Sequence, residues 1–196
     1  MKRTSIDINC DMGESYGRYQ LGNDEKMMSY ISSCNIACGF HGGDPLVMER
    51  TLQQAIEHGV QIGAHPSYPD RSGFGRRKMD VDKQELKAII KYQIAAIQGM
   101  AQSLNAKVSY VKPHGALYNR AASDPIEAAT ILKAIHEIDP ELILMGLAGS
   151  LVEAMAHEKG QPFIAEAFAD RRYDKNGQLV ARSIHQNKRL SINCSI

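Results

Sequence analysis

The chain has 196 residues, enough for one domain with a sizeable core. Hydrophobic residues make up 43% of it, charged residues 23%, and the formal net charge is +1; that balance excludes a disordered chain and gives no basic footprint for nucleic acid. No apolar run approaches the about 20 residues that cross a bilayer, and Met1-Lys2-Arg3-Thr4 is followed by Asp7 and Asp11 rather than by the apolar core of a signal peptide.

Short apolar segments alternate with longer amphipathic ones. A first strand is predicted over residues 5–10 and a second over 33–38. Asp44 followed by Pro45 reads as an N-cap with proline at the first helical position. Met48, Leu52, Ala55 and Ile56 then form the buried stripe of a helix that Gly59 closes. A third strand is predicted over 60–64, and a Gly-, Pro- and Arg-rich loop from His65 to Asp80. Asp82 with Glu85 resembles a capping box, ahead of a helix that buries Leu86, Ile90, Ile94, Ile97 and Leu104. Residues 108–111 read as strand four, and Asp124-Pro125 opens a helix to about Ile138. Residues 142–145 read as strand five, Ser150 with Glu153 opens a helix ending near Gly160, and 163–167 read as strand six; a further strand begins near Leu179.

Strict alternation of strand and helix predicts a parallel sheet. Two closures compete, an open doubly wound sheet and a (β/α) barrel. No G-x-G-x-x-G or G-x-x-x-x-G-K-[ST] follows any strand, which removes support from the common nucleotide-binding forms of the open sheet. Four cysteines are present, Cys10, Cys34, Cys38 and Cys194. Cys34 and Cys38 share one predicted strand, where four residues span roughly 13 Å. That is too far for a disulfide, so reduced thiols and a cytoplasmic location are expected.

Polar residues gather at the ends of the predicted strands. Strand one carries Asp7, Asn9, Asp11 and Glu14. Strand two leads to Asn35 and His41, and strand three to His65. Strand four leads to Lys112, His114, Tyr118 and Asn119, and strand six to Glu166, Asp170, Arg171 and Arg172. In α/β folds the C-terminal strand ends converge on one crevice, so these residues are expected to share a site. Asp7, Asn9 and Asp11 alternate with Ile8 and Cys10, which places all three on one face. His41, His65 and His114 each sit beside Gly or Pro just after a strand. With Asp7 or Asp11 they suit a divalent metal, or they serve as general acid and base; the residues alone leave both open. Arg71, Arg76, Arg77 and Lys78 form a local basic run, either solvated surface or a phosphate or carboxylate site. His58, His136, His157 and His185 read as surface residues.

The same residues carry a family resemblance. Asp7-Ile-Asn-Cys-Asp-Met-Gly-Glu14 resembles D-[LI]-N-x-D-x-G-E, the opening pattern of the LamB/YcsF family. Asn35-Ile-Ala-Cys-Gly-Phe-His-Gly-Gly-Asp-Pro45 resembles its N-I-A-C-G-F-H-A-G-D-P, with Gly42 where alanine is usual. Blocks 63–70, 73–77, 111–119 and 166–173 match further family patterns, so the resemblance runs from Ser5 to about Arg182.

That resemblance implies a (β/α) barrel of about seven parallel strands, related to glycoside hydrolases and polysaccharide deacetylases. It implies a hydrolase of a cyclic amide, the A subunit of a 5-oxoprolinase, which opens 5-oxo-L-proline to L-glutamate at the expense of ATP together with subunits B and C. On this reading the catalytic candidates are Asp7, Asp11, His41, His65 and His114. Asn9, Asn35, Arg76, Arg77, Lys112, Glu166 and Arg171 are the candidates for holding substrate or phosphate. ATP is the expected co-substrate, and a divalent metal has Asp7, Asp11, His65 and His114 as candidate ligands. The family pattern continues beyond Val180 with R-S-x-P-G-A, which the segment after Arg182-Ser183 does not match. An incomplete barrel over 1–182 with an atypical tail over 183–196 is therefore expected. Two other readings fit the same residues: a stand-alone metal-dependent deacetylase or amidohydrolase, and an inactive truncated subunit that only binds partners.

Overall fold

The computed structural model describes residues 5–174, 177, 179 and 180. Six strands form one parallel sheet in chain order: β1 (Asn9–Met12), β2 (Ser33–Ala37), β3 (Gln61–His65), β4 (Val108–Val111), β5 (Ile143–Leu147) and β6 (Phe163–Glu166). A doubly wound sheet reverses its strand order at a switch point, and this one does not. The sheet is also strongly curled. Edge strands of a flat six-stranded sheet lie roughly 24 Å apart, yet Asn9 Nδ2 on β1 donates to Glu166 Oε2 on β6 at 3.3 Å. The described strands are thus a curled (β/α) half-barrel whose concave face brings the two ends together. The residues after Val180, on which a closing strand and the atypical tail were expected, lie outside the described part; Leu179 makes an isolated antiparallel bridge to Tyr173.

Helices α1 (Asp24–Met27), α2 (Pro45–His58), α3 (Lys83–Ser103), α4 (Gly115–Ala121), α5 (Pro125–Ile138) and α6 (Leu151–Glu158) connect the strands, with a 3₁₀ turn at Met28–Tyr30. The caps fall where the sequence places them. Asp44, Asp82, Asp124 and Ser150 each accept a backbone N–H of the first turn, and Gly59 ends α2 in the left-handed conformation with φ 66°. The capping box at Ser150 is only half made, because Glu153 Oε2 accepts from Gly149 N instead. Ile90, Ile94 and Ile97 of α3 meet Ile131 and Ile135 of α5 in the core, all five fully buried.

Strand one begins later than predicted. Residues 5–8 join no ladder; Ile8 O accepts the N–H groups of Ser32 and Ser33, and pairing starts at Asn9↔Ser33. Ile6 and Ile8 are 85% and 54% exposed, and their alternation with Asp7 is that of a strand with no ladder partner among the described residues.

On the outer surface Lys87 and Lys91 of α3 both reach Glu137 of α5, each at 2.9 Å. Their hydrogen bonds lower the Glu137 carboxyl from 4.5 to about 2. A carboxyl lowered on folding contributes stability that is complete above its unfolded value and lost as pH falls through its folded one. The contribution of this clamp is therefore expected to fade from about pH 4.5 down to about pH 2. A carboxyl NMR titration checks it: the Glu137 midpoint should lie near 2 and return towards the ordinary glutamate value in Lys87→Met/Lys91→Met.

Candidate active site

The C-terminal ends of β1, β3 and β4 open into a cavity of about 490 Å³, whose lining includes Asp11, His65, Arg76, Lys112, His114 and Tyr118. Two layers of side chains make its floor. The lower one is a buried amide and ammonium network. Asn35, fully buried, donates through Nδ2 to Asn9 Oδ1 at 2.8 Å and to Asp11 Oδ1 at 2.9 Å, and accepts from Tyr110 OH at 2.8 Å. Tyr110 reaches Asn35 because its ring lies over Gly63, where any Cβ would collide with it. Lys112 Nζ donates to Asn9 Oδ1 at 2.9 Å and pairs with Glu166 at 3.1 Å and Asp11 at 3.4 Å. The three N–H bonds of an ammonium match those three acceptors.

The upper layer is aromatic. The His41 and His114 rings stack at 3.7 Å with 2° between their planes, and His65 meets both edge-on. All three are buried. His65 Nδ1 donates to Lys112 O at 2.6 Å and His114 Nε2 to Phe74 O at 2.9 Å. Glu14 Oε1 lies 3.2 Å from His41 Nε2 and 3.7 Å from His114 Nδ1. Asp11 Oδ1 lies 3.4 Å from His65 Nε2. Together Glu14, His41, His65 and His114 each present one ligand atom within 4.8 Å of the others, an arrangement compatible with a divalent metal.

The loop over 65–80 closes the layer from outside. Gly75, with φ +63°, lays its backbone against the His114 ring and the His41 Cβ, and Ala116 N donates to Gly75 O at 2.9 Å as α4 begins. Asp70 ties the loop to itself, accepting from Gly73 N at 3.0 Å and from Arg77 N at 3.3 Å and holding the Arg77 guanidinium.

Burial opposes charge throughout this layer. It lowers the His114 imidazole to about 2, helped by His65 and His41, and holds His41 well below its ordinary range. It raises the Glu14 carboxyl against the pull of His65. Asp11 goes the other way: burial pushes it up, but His65, Lys112 and Asn35 outweigh that and hold it well below the usual carboxylate range. Asp11 is therefore an ionised carboxylate at the cavity floor. Burial raises the Cys34 and Cys38 thiols to about 12, so neither is a nucleophile.

Of the residues singled out by sequence, Asp11, His65, Arg76, Lys112, His114 and Arg171 line the cavity. Asn9, Asn35 and Glu166 lie in the network beneath, and His41 lies behind His114. Two stand elsewhere. Asp7 sits before β1, where its carboxylate accepts from the Ser32 and Ser33 hydroxyls at 2.5 and 2.7 Å; this ties down the N-terminal end of the sheet. Arg77 belongs to Asp70, not to the cavity, because the loop folds back on itself. Lys112 is present, but its donors already point at Asn9, Asp11 and Glu166, so it balances carboxylates rather than holding an anion. Glu14, noted at a strand end but given no role, proves central. Tyr118 and Asn119, expected at the site from their place after strand four, also line the cavity, as does Phe168, which nothing in its local sequence marks.

The sequence profile of the LamB/YcsF family matches residues 6–190. A 5-oxoprolinase A subunit of Agrobacterium fabrum is 52% identical over 178 residues, which cover 91% of this chain and 70% of that protein. The 5-oxoprolinase A subunit of Clostridium beijerinckii is likewise 52% identical over the same shares. Among solved structures, the lactam utilization protein from Thermus thermophilus superposes with a TM-score of 0.88 at 41% identity, over 92% of this chain and 73% of that one.

Proposed function

The chain belongs to the LamB/YcsF family, and from that footing we propose that it is the A subunit of a 5-oxoprolinase, an enzyme that opens 5-oxo-L-proline to L-glutamate with ATP as co-substrate and with subunits B and C as partners. The relatives' names and the lactam utilization protein support the reading. The observation that carries it is the convergence of Asp11, His65, Lys112 and His114 on one small cavity beside Arg76. No described helix is long and apolar enough to cross a membrane, and Cys10, Cys34 and Cys38 are free thiols, which fits a cytoplasmic protein.

A five-membered lactam resists hydrolysis because its nitrogen donates into the carbonyl. Transfer of the γ-phosphoryl group of ATP to the amide oxygen, with release of ADP and of the N–H proton, gives an imidate whose oxygen is a leaving group and whose ring carbon is more electrophilic. Water then adds to the ring carbon and its proton passes to a base; the C–N bond breaks as the nitrogen takes up a proton, leaving an acyl phosphate, from which a second water releases phosphate and the carboxylate. In this cavity Asp11 is the base, since it is ionised and its side chain stays 38% exposed. Lys112, fixed by Glu166 and Asn9, holds Asp11 in place. Arg76 takes the anionic group, substrate carboxylate or phosphate: its guanidinium lies over the Phe74 ring at 4.9 Å, on the cavity wall.

The test is glutamate formation from 5-oxoproline. The chain with subunits B and C and ATP should be active, and the chain alone inactive. Asp11→Asn in the complex should lower kcat by roughly 10²–10⁴-fold, the range of a general base, while the thermal melt stays in place. ATP-independent hydrolysis by the chain alone would mean a stand-alone amidohydrolase instead.

A further inference from the structure

The upper layer of the site contains an electrostatic conflict. Carbonyl oxygens only accept hydrogen bonds. Lys112 O therefore places the His65 proton on Nδ1, and Phe74 O places the His114 proton on Nε2. The remaining nitrogens, His65 Nε2 and His114 Nδ1, then bear lone pairs, and they face each other at 3.0 Å. The Glu14 carboxylate lies 3.7 Å from the second and the Asp11 carboxylate 3.4 Å from the first. Four electron-rich atoms converge with no hydrogen between them. Nearby, Asp11 and Glu166 share one ammonium, Lys112, and Glu14 lies against His41 and His114. His41, 1% exposed, adds an imidazole with one nitrogen at Glu14 and the other without a partner. Buried polar atoms in such a state require a cation.

We propose that Glu14, His65 and His114, with His41 beside them, form a binding site for one transition-metal dication of the zinc type. Two nitrogens about 2.1 Å from an ion are about 3.4 Å apart at the tetrahedral angle; His65 Nε2 and His114 Nδ1 stand 3.0 Å apart, so a small opening of the pair admits the ion. A ligand set rich in imidazole selects zinc-like ions over magnesium or calcium, which prefer oxygen. Phe74 O and Lys112 O act as the outer partners that fix each ring's tautomer, the arrangement usual behind metal-bound histidine. Asp11 stays outside the ligand set because Asn35 and Lys112 already engage its oxygen. A cation at this place also acidifies any water it holds beside Asp11. The site does not depend on the substrate being 5-oxoproline, and its test reads metal rather than turnover.

The tag-free full chain, stripped with a chelator, is titrated with Co²⁺ as an optical probe and then with Zn²⁺. One Co²⁺ per chain is expected, displaced by Zn²⁺ and not by excess Mg²⁺. Glu14→Gln and His114→Ala should each weaken binding by at least about 10–100-fold, the loss that follows removal of even an outer-shell partner. If a variant proves unfolded in its thermal melt, X-ray absorption on the Zn²⁺-loaded wild type decides: two or three imidazole ligands support the site, and fewer than two overturn it. Absence of saturable binding, or binding undiminished in both folded variants, also overturns it and leaves a proton as the cation between the two rings.

Discussion

Lys112→Met should destabilise the fold by about 3–5 kcal/mol, the cost of leaving buried charge without its partner. Methionine keeps the length and the apolar contacts of the lysine stem, so packing changes little. What is lost is the ammonium. Glu166 is 8% exposed, and its Oε1 already has no hydrogen-bond partner. Without Lys112, the carboxylate is left with the Asn9 amide at 3.3 Å and the Tyr118 phenol, both neutral, among the described residues. Asp11 loses its ammonium but retains the Asn35 amide, and its side chain is 38% exposed to solvent, so most of the penalty falls on Glu166. Glu166→Gln placed on top of Lys112→Met should therefore recover a large part of the loss, because a neutral amide needs no counter-charge. Chemical denaturation of the four proteins in this double-mutant cycle measures it. A Lys112→Met loss below about 1 kcal/mol, or no recovery in the double variant, would show that the ion cluster does not hold β1, β4 and β6 together.

Much of this cluster was legible because its members recur at a period of two or just past a strand. Asn9 and Asp11 share a face by alternation alone, and His65, Lys112 and His114 each lie at or just beyond the end of a strand. What the sequence hides is decided by partners distant along the chain. Arg76 and Arg77 are neighbours in one basic run, yet one lines the cavity and the other is pinned by Asp70; only the path of the loop distinguishes them. Asp7 has the same alternation as Asn9 and Asp11 but faces Ser32 and Ser33, one level below the site. Helix α4 escaped prediction because seven residues are too few for a helical stripe, and its first turn is held from outside by Gly75 O. The caps of α2 and α5 were readable for the opposite reason: an Asp-Pro pair satisfies the first turn locally and needs nothing from elsewhere.

Gly75→Ala should cost about 2–5 kcal/mol and disorganise the histidine layer. Two effects add. The residue has φ +63°, where a side chain costs about 1–2 kcal/mol. Its Cβ would lie 2.8 Å from His114 Cδ2 and 2.9 Å from His41 Cβ, and forcing a methyl group into a packed interior costs about 1–3 kcal/mol. Neither ring can yield easily. His114 is held by Phe74 O on one side and stacked on His41 at 3.7 Å on the other, and His41 Nε2 is engaged by Glu14. The backbone of Gly75 must retreat instead, which pulls its carbonyl away from Ala116 N and loosens the start of α4. Gly59→Ala is the control: it has φ +66° with nothing within 4 Å of the new Cβ, so it should show only the backbone term of about 1–2 kcal/mol. The measurements are denaturation midpoints for both variants and histidine ring NMR shifts. Equal losses in the two variants, with the His41 and His114 resonances unmoved in Gly75→Ala, would mean that the loop does not clamp the stacked rings.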